Sequence, residues 1–248
     1  MYKDKNILAV IPARGGSKGI HLKNMQVLGN LTLVEWALFT ALNCKEIDRT
    51  VVSTDLDTII NIANKHGDFA PFKRPQEFST DEAPSLPVFN HALEWAEKND
   101  NMQYDIILVL APTTPFRLTS HINQGLKLLI EKKASSVISL VEVGDPHPIR
   151  IKKLVNGLVE PYCMPEPEGL RRQDQDAAYI RNCAVNIFSR ETIINGQLWG
   201  ENQYGFKMDN LPYGINIDEP TDLLLAQNIF DKYNKEKSLH LLSNHYIN

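Results

Sequence analysis

The chain has 248 residues, 43% hydrophobic and 23% charged, with 30 acidic against 26 basic side chains and a net charge of -4. This length supports a substantial core in one large α/β domain, or in one domain with an appendage. The mild acidity offers no general attraction to nucleic acid, so cations matter only where they cluster. Cys44, Cys163 and Cys183 are widely spaced, with neither a CxxC nor a zinc spacing, which argues against a disulfide scaffold or zinc site and suits a reducing cytosol. MYKDKN leads straight into a strand, and no run of ~18 apolar residues follows, so the expectation is a soluble, cytoplasmic protein.

Ile7 to Ile11 is an apolar, β-branched run that reads as a buried strand and stops at Pro12, which cannot donate to a sheet ladder. The loop after it, up to Asn24, mixes glycines, which let peptide N–H groups approach a ligand closely, with the cations Arg14, Lys18 and Lys23. Such a loop suits a polyphosphate, although it is neither a Walker A loop nor a GxGxxG fingerprint. The plainer reading is a basic surface turn. Its position at the carboxyl end of a first strand, where open α/β sheets bind ligands, favours the phosphate.

Further along, Leu31–Cys44 predicts a crossover helix, Arg49–Asp55 a strand, Leu56–Lys65 a helix and Phe69–Phe72 a third strand. Turn residues at Ser79–Pro87 precede a helix from about Val88 to Lys98 with an acidic start. Asp105–Ala111 is the most hydrophobic strand and reads as central. Thr119 is the expected cap of a helix from Ser120 to Lys132, and Ser135–Val143 a strand. From Gly144 to Arg181, five prolines, a hairpin signal at Asn156-Gly157 and the run LRRQDQD mark an inserted arm rather than another βαβ unit. The sheet is expected to resume at Ala184–Phe188 and at Tyr213–Ile217, which ends on Asp218. A closing helix follows from Thr221, and a polar tail from residue 236 is expected to fray.

With these strands parallel, the Arg14–Asn24 loop, Asp55, Arg74, the Thr113/Thr114 turn and Asp218 converge on one edge. The cations would hold phosphates. Asp218 would hold a divalent ion, Mg2+ for preference, because one or two carboxylates plus phosphate oxygens suffice for it. Nucleotidyl transfer needs that pairing, since the charge of a triphosphate must be neutralised before an oxygen nucleophile approaches in line. Each piece alone has a duller reading. Asp55 would cap the next helix, Asp218 would be a helix entry, and His147 a loop histidine between prolines. Arg150, Arg171, Arg172 and Arg181 would form a solvated face, or else clamp a carboxylate.

The segments IPARGGSKGIHLKN, VVSTD, KRPQEFSTDEAPS, LAPTTPFR, DPHPIR, RRQDQDAAYIRNCAVNIF and GINIDEPTDL follow one another in this order. Together they resemble the acylneuraminate cytidylyltransferases, including the bacterial legionaminate and pseudaminate enzymes, over nearly the whole chain. The Kdo cytidylyltransferase signature is similar at the start only. The resemblance implies a Rossmann-like α/β fold: an open, mostly parallel sheet with helices on both faces. Residues 1–143 and 182–235 would form the nucleotidyltransferase domain, and 144–181 a small dimerisation arm reaching the partner's site in a homodimer. It implies a reaction of CTP with a nonulosonic acid, a nine-carbon 2-keto acid sugar whose anomeric hydroxyl attacks the α-phosphate, giving a CMP-sugar and pyrophosphate with Mg2+ as cofactor. By the same resemblance Arg14, Ser17, Lys18 and Lys23 contact the triphosphate, and Ala13, Asn24, Arg74, Ala83 and Ser85 hold the nucleotide. Asp218 and Asn216 take the metal, while Thr113, Thr114, Arg150, Arg172, Tyr179 and Asn182 face the sugar.

Four departures mark this chain. Asn216-Ile217-Asp218 stands where the family usually has Asp-x-Asp, Ala111 where sialate enzymes carry Gln, Cys183 for a usual Gly and Asn186 for a usual Tyr. The nucleotide half therefore carries over more fully than the sugar half, and the expected acceptor is a modified nonulosonate rather than N-acetylneuraminate itself. Two rivals stand beside this expectation. One is a nucleotidyltransferase of the same fold with another sugar acid or nucleotide; the other is a nucleotide-sugar binding or regulatory protein with weakened chemistry.

Overall fold

Strand β1 (Ile7–Pro12) is buried along both faces, and that sets the architecture. Ile7, Ala9 and Ile11 pack into one hydrophobic layer and Leu8 and Val10 into another, so the strand's two-residue alternation serves helices on both sides. The computed structural model describes residues 2–236. After β1 come the two-residue strands β2 (Val27–Leu28) and β3 (Leu31–Thr32), then α1 (Leu33–Leu42), β4 (Arg49–Ser53), α2 (Asp57–Asn64), α3 (Ser85–Asp100), β5 (Ile106–Val109), α4 (Thr119–Lys132) and β6 (Ser136–Glu142). A hairpin of β7 (Lys152–Val155) and β8 (Leu158–Pro161) precedes β9 (Tyr179–Ser189), α5 (Arg190–Ile194), β10 (Gln203–Met208) and α6 (Pro220–Glu236).

Six strands form one sheet in the order β10-β6-β9-β5-β1-β4. β1 runs parallel to β4 and β5, and β10 parallel to β6, while β9 is antiparallel to both its neighbours. This is the mostly parallel, Rossmann-like α/β sheet that the sequence implied. α1, α2 and α4 cover one face; α3 and α5 cover the other. A third cluster joins the back of α1 to α6 through Leu33, Trp36 and Ala226, with the Trp36 and Phe230 rings edge to face at 5.8 Å.

Several expectations change in detail. Phe69–Phe72 is not a strand: it gives the β4 edge one bond, from the Val52 N–H to the Phe69 carbonyl, and Pro71 cannot extend a ladder. Tyr213–Ile217 is a turn and an extended segment, tied to the sheet end by the Ile217 N–H donating to the Thr113 carbonyl at 2.8 Å. The edge strand is instead β10, whose polar sequence buries only Phe206 and Met208. Helix α3 begins at Ser85, ahead of the expected Val88, and has no acidic residue in its first turn. Thr119 is helical, and the preceding Leu118 occupies the cap position. The hairpin expected at Asn156-Gly157 is present, with both residues at positive φ. The tail expected from residue 236 lies, Glu236 apart, outside the described residues.

Candidate active site

The carboxyl ends of β1, β4 and β5 open into a cleft of about 310 Å³. Its lining includes Arg14, Lys23 and Asn24 from the first loop, Arg74 from the connection between α2 and α3, Ala83 and Ser85 at the start of α3, and Ala111 and Thr113 after β5. Seven of the expected residues are therefore brought together, with the amino end of α3 and its positive dipole end turned toward them.

The first loop is held from both sides. On one, the Gly15 N–H donates to Asp55 Oδ1 at 2.8 Å, so Asp55 anchors the glycine turn instead of capping α2. On the other, Gly19 lies against the main chain of Asp218, whose carbonyl oxygen a Cβ at residue 19 would overlap. Inside the loop the Asn24 amide donates to the Arg14 carbonyl at 2.9 Å. Lys23 Nζ then sits 2.7 Å from Asp218 Oδ1, with the lysine largely covered and the carboxylate 57% exposed. Cationic loop and late aspartate thus meet, across 195 positions of sequence.

Asp218 is itself positioned. Asp222 accepts from the N–H groups of both Asp218 and Glu219 at 2.9 and 2.8 Å, and the Asn216 amide donates to the Asp218 carboxylate. That leaves Asn216 Oδ1 buried without a hydrogen-bond partner.

The remaining expected residues divide. Ala13 lies beneath the cleft, its N–H donating to the Ser53 carbonyl at 2.9 Å. Ser17 is half-buried on the loop, outside the lining, and Lys18 is exposed with its Nζ 3.6 Å from Asp81. Arg74 is 5% exposed and spends its donors on the hydroxyl and carbonyl of Ser53. Burial lowers its pKa to about 10, against the opposing pull of Asp55. Thr114 turns inward to the carbonyls of Ala111 and Cys183.

Asn182 is buried, donating to the Tyr213 carbonyl at 3.0 Å and accepting from the Ser139 hydroxyl and the Ala184 N–H. It braces β9. With Tyr179 and Asn216 it also borders a second hollow, of about 670 Å³, between the ends of β6 and β9 and the Asn210–Asn216 segment. The arm's arginines are engaged separately: Arg150 with Asp145 at 3.0 Å, Arg171 with Asp174, and Arg181 stacked over Trp199. Arg172 borders a further hollow of about 480 Å³ with His147. That histidine is a loop brace, bonded to the Asp176 carbonyl and the Ile149 N–H.

Cys183, at φ 59°, stands opposite the register shift between β6 and β9, which explains why glycine suits this position.

Sequence reasoning missed two residues. Asp81 Oδ1 lies 2.7 Å from the Arg14 guanidinium. Arg117, 1% exposed, donates to the carbonyls of Ala111 and Ala184, joining the cleft floor to β9, and burial pulls its pKa down to about 9. Asp81 stood in plain view in the STDEAPS segment but read only as one of the turn residues before the next helix. Arg117 offered no signal, because nothing in LAPTTPFR marks its side chain as internal.

Residues 8–246 match the family model described as cytidylyltransferase. The chain belongs to the cytidylyltransferase family. Among related cytidylyltransferases, the N-acylneuraminate cytidylyltransferase of Oncorhynchus mykiss is 32% identical over 90% of this chain and 50% of its own length. The chain thus spans about half of that relative. The CMP-N,N'-diacetyllegionaminic acid synthase of Campylobacter jejuni is 28% identical over 89% of this chain and 93% of its own. Among solved structures, a CMP:2-keto-3-deoxy-manno-octonic acid synthetase complexed with CTP superposes with a TM-score of 0.68. It covers 92% of this chain and 99% of its own at 16% identity, a likeness of fold.

Proposed function

We propose that this cytidylyltransferase condenses CTP with a nonulosonic acid, the anomeric hydroxyl of the sugar displacing pyrophosphate from the α-phosphate. The observation that carries this reading is the meeting of Lys23 with Asp218 at the mouth of a cleft that also gathers Arg14, Ala83 and Ser85. Arg14, Lys18 and Lys23 would neutralise the triphosphate, and the polar edges of Asn24, Ala83 and Ser85 would hold the cytidine. The acceptor would take the neighbouring 670 Å³ hollow, which is bordered by Tyr179 and by Asn216, whose amide is bonded to Asp218. The names of the Oncorhynchus mykiss and Campylobacter jejuni relatives support a sialic-type or legionaminic acid as acceptor.

The donor set fits a resident Mg2+. Asn216 supplies a buried carbonyl oxygen with no protein partner and Asp218 an exposed carboxylate, both hard oxygen ligands of the kind Mg2+ takes together with phosphate oxygens. When bound, the ion would offset charge developing at the α-phosphate.

The same reading makes the protein a homodimer, since Leu154 and Val159, paired across the β7–β8 hairpin, expose 76% and 67% of their surface on one of its faces, an apolar face that a second copy would cover. Its setting would be the cytoplasm; among the described residues no helix is long and apolar enough to cross a membrane.

The test is pyrophosphate release with the four nucleoside triphosphates against N-acetylneuraminate, N,N'-diacetyllegionaminate, pseudaminate and 2-keto-3-deoxy-manno-octonate. Turnover with CTP and one of the three nonulosonates is expected. CTP binding with no release from any sugar acid would instead favour a nucleotide-binding protein without transfer activity.

A further inference from the structure

Two cations of the phosphate loop are already engaged by an anion of the protein itself. Asp81 Oδ1 is 2.7 Å from the Arg14 guanidinium and Asp81 Oδ2 is 3.6 Å from Lys18 Nζ, one carboxylate oxygen to each. Both partners lie on the glycine loop, whereas Asp81 comes from the far wall of the cleft, in the turn before α3. A carboxylate spanning an arginine and a lysine has the charge and reach of a phosphate group on the same two donors. The Asp81 side chain is 38% exposed and that of Lys18 79%, so both pairs are solvent-screened and open to exchange for a more highly charged anion.

We propose that Asp81 is a specificity-determining residue: an internal anion that occupies Arg14 and Lys18 in the free protein and must be displaced by the incoming polyphosphate. This rests on the reading of the loop as the triphosphate site.

Two consequences follow from charge. A monovalent or divalent anion such as inorganic phosphate competes poorly with a carboxylate tethered at high effective concentration, whereas a tri- or tetravalent polyphosphate displaces it. The site therefore rejects small anions and keeps its cations for a triphosphate. Displacement also moves the turn that carries Ala83 and Ser85, both on the lining of the same cleft, so phosphate entry and the wall beside the base are coupled through four residues of chain.

The experiment is calorimetry of Asp81→Asn and Asp81→Glu beside the unmodified protein, with inorganic phosphate and tripolyphosphate in EDTA, and with CTP in the presence of Mg2+. Removing the internal competitor makes Asp81→Asn bind tripolyphosphate about threefold to tenfold more tightly than the unmodified protein, the range set by two exposed ion pairs. Inorganic phosphate gains affinity as well, and Asp81→Glu stays near the original values. Equal or weaker tripolyphosphate binding by Asp81→Asn overturns the proposal, because a metal-binding role predicts no change in EDTA and a loop-ordering role predicts a loss. If the unmodified protein fails to bind CTP with Mg2+, the triphosphate reading falls and takes this inference with it. If CTP binds normally and only the expected gain is missing, the inference alone fails.

Discussion

Lys23 and Asp218 lie 2.7 Å apart, one on the first loop of the chain and the other at the entry to its last described helix. The lysine is 18% exposed and the aspartate 57%, so the pair forms at the lip of the cleft and presents charge to it instead of burying it.

Lys23→Ala and Asp218→Ala should each lower turnover with CTP by about 2.7–4 kcal/mol in activation free energy, about a hundredfold to a thousandfold, the scale for removing one electrostatic contributor. Thermal unfolding should change little, since a pair this open to solvent adds only about 0–1 kcal/mol to stability. Steady-state pyrophosphate release and a melting curve check both halves; near-normal turnover in either variant would remove that residue from the mechanism.

Gly19→Ala tests the seam between loop and aspartate. The new methyl group would overlap the Asp218 carbonyl oxygen, which is main chain and cannot swing aside. Overpacking of this kind costs about 1–3 kcal/mol, and the variant should lose activity as the loop is pushed off Asp218. An unfolding midpoint and turnover both equal to the parent's would show that the seam is slack.

Asn216→Asp places a second carboxylate beside Asp218, where an amide now donates. Added ligand charge should strengthen metal activation, lowering the half-saturating Mg2+ concentration about threefold to tenfold, while two adjacent like charges should lower the melting temperature in EDTA. Titrating Mg2+ in the transfer assay, with melts in EDTA, decides it. An unchanged Mg2+ requirement would put the metal elsewhere.

Arg117→Met keeps the bulk of a long side chain but takes the donor from the Ala184 carbonyl, while the Ala111 carbonyl keeps the Thr114 hydroxyl. A buried carbonyl so stranded costs about 1–3 kcal/mol, and the expected net loss is about 1–2 kcal/mol once the relief of a buried charge is set against it. Urea unfolding measures the sum. A midpoint at or above the parent's would mean that the guanidinium costs as much to bury as its two bonds return.

Val159→Glu should convert the proposed dimer to a monomer, since it charges the hairpin face that Val159 shares with Leu154. Light scattering coupled to gel filtration reads the mass directly. A parent protein that is monomeric throughout the micromolar range, or a variant that remains dimeric, would rule out the hairpin as the joining surface.

Much of the sheet was legible because β1 and β5 are continuous apolar runs, which is how strands covered on both faces must read, and β4 centres on a β-branched Thr-Val-Val. β10 escaped notice for the opposite reason: as an edge strand it buries only two of its six side chains, and its sequence carries little pattern. Tyr213–Ile217 misled because apolar residues that pack under α6 look the same as residues of a ladder. At the cleft, Arg14, Lys23 and Asn24 were visible through the company they keep within one loop. Across the gap, Asp55 and Asp218 could be placed at the same edge from the order of the strands, but Asp81 could not, since its closeness to Arg14 is a product of the crossovers and not of spacing. Asn182 shows the limit from the other side: a polar residue in a functional-looking segment whose bonds are nearly all spent inside β9 and its neighbours.

Gly19 rests on the Asp218 carbonyl and Ile217 hangs from Thr113, so segments made early, midway and late in synthesis must meet before the cleft is whole. A ribosome-bound chain would carry Lys23 for most of translation without Asp218 opposite it. It would become competent only after α6 has emerged and Phe230 has settled against Trp36. Completion of the cleft is thereby deferred toward the end of translation by the order of the segments alone.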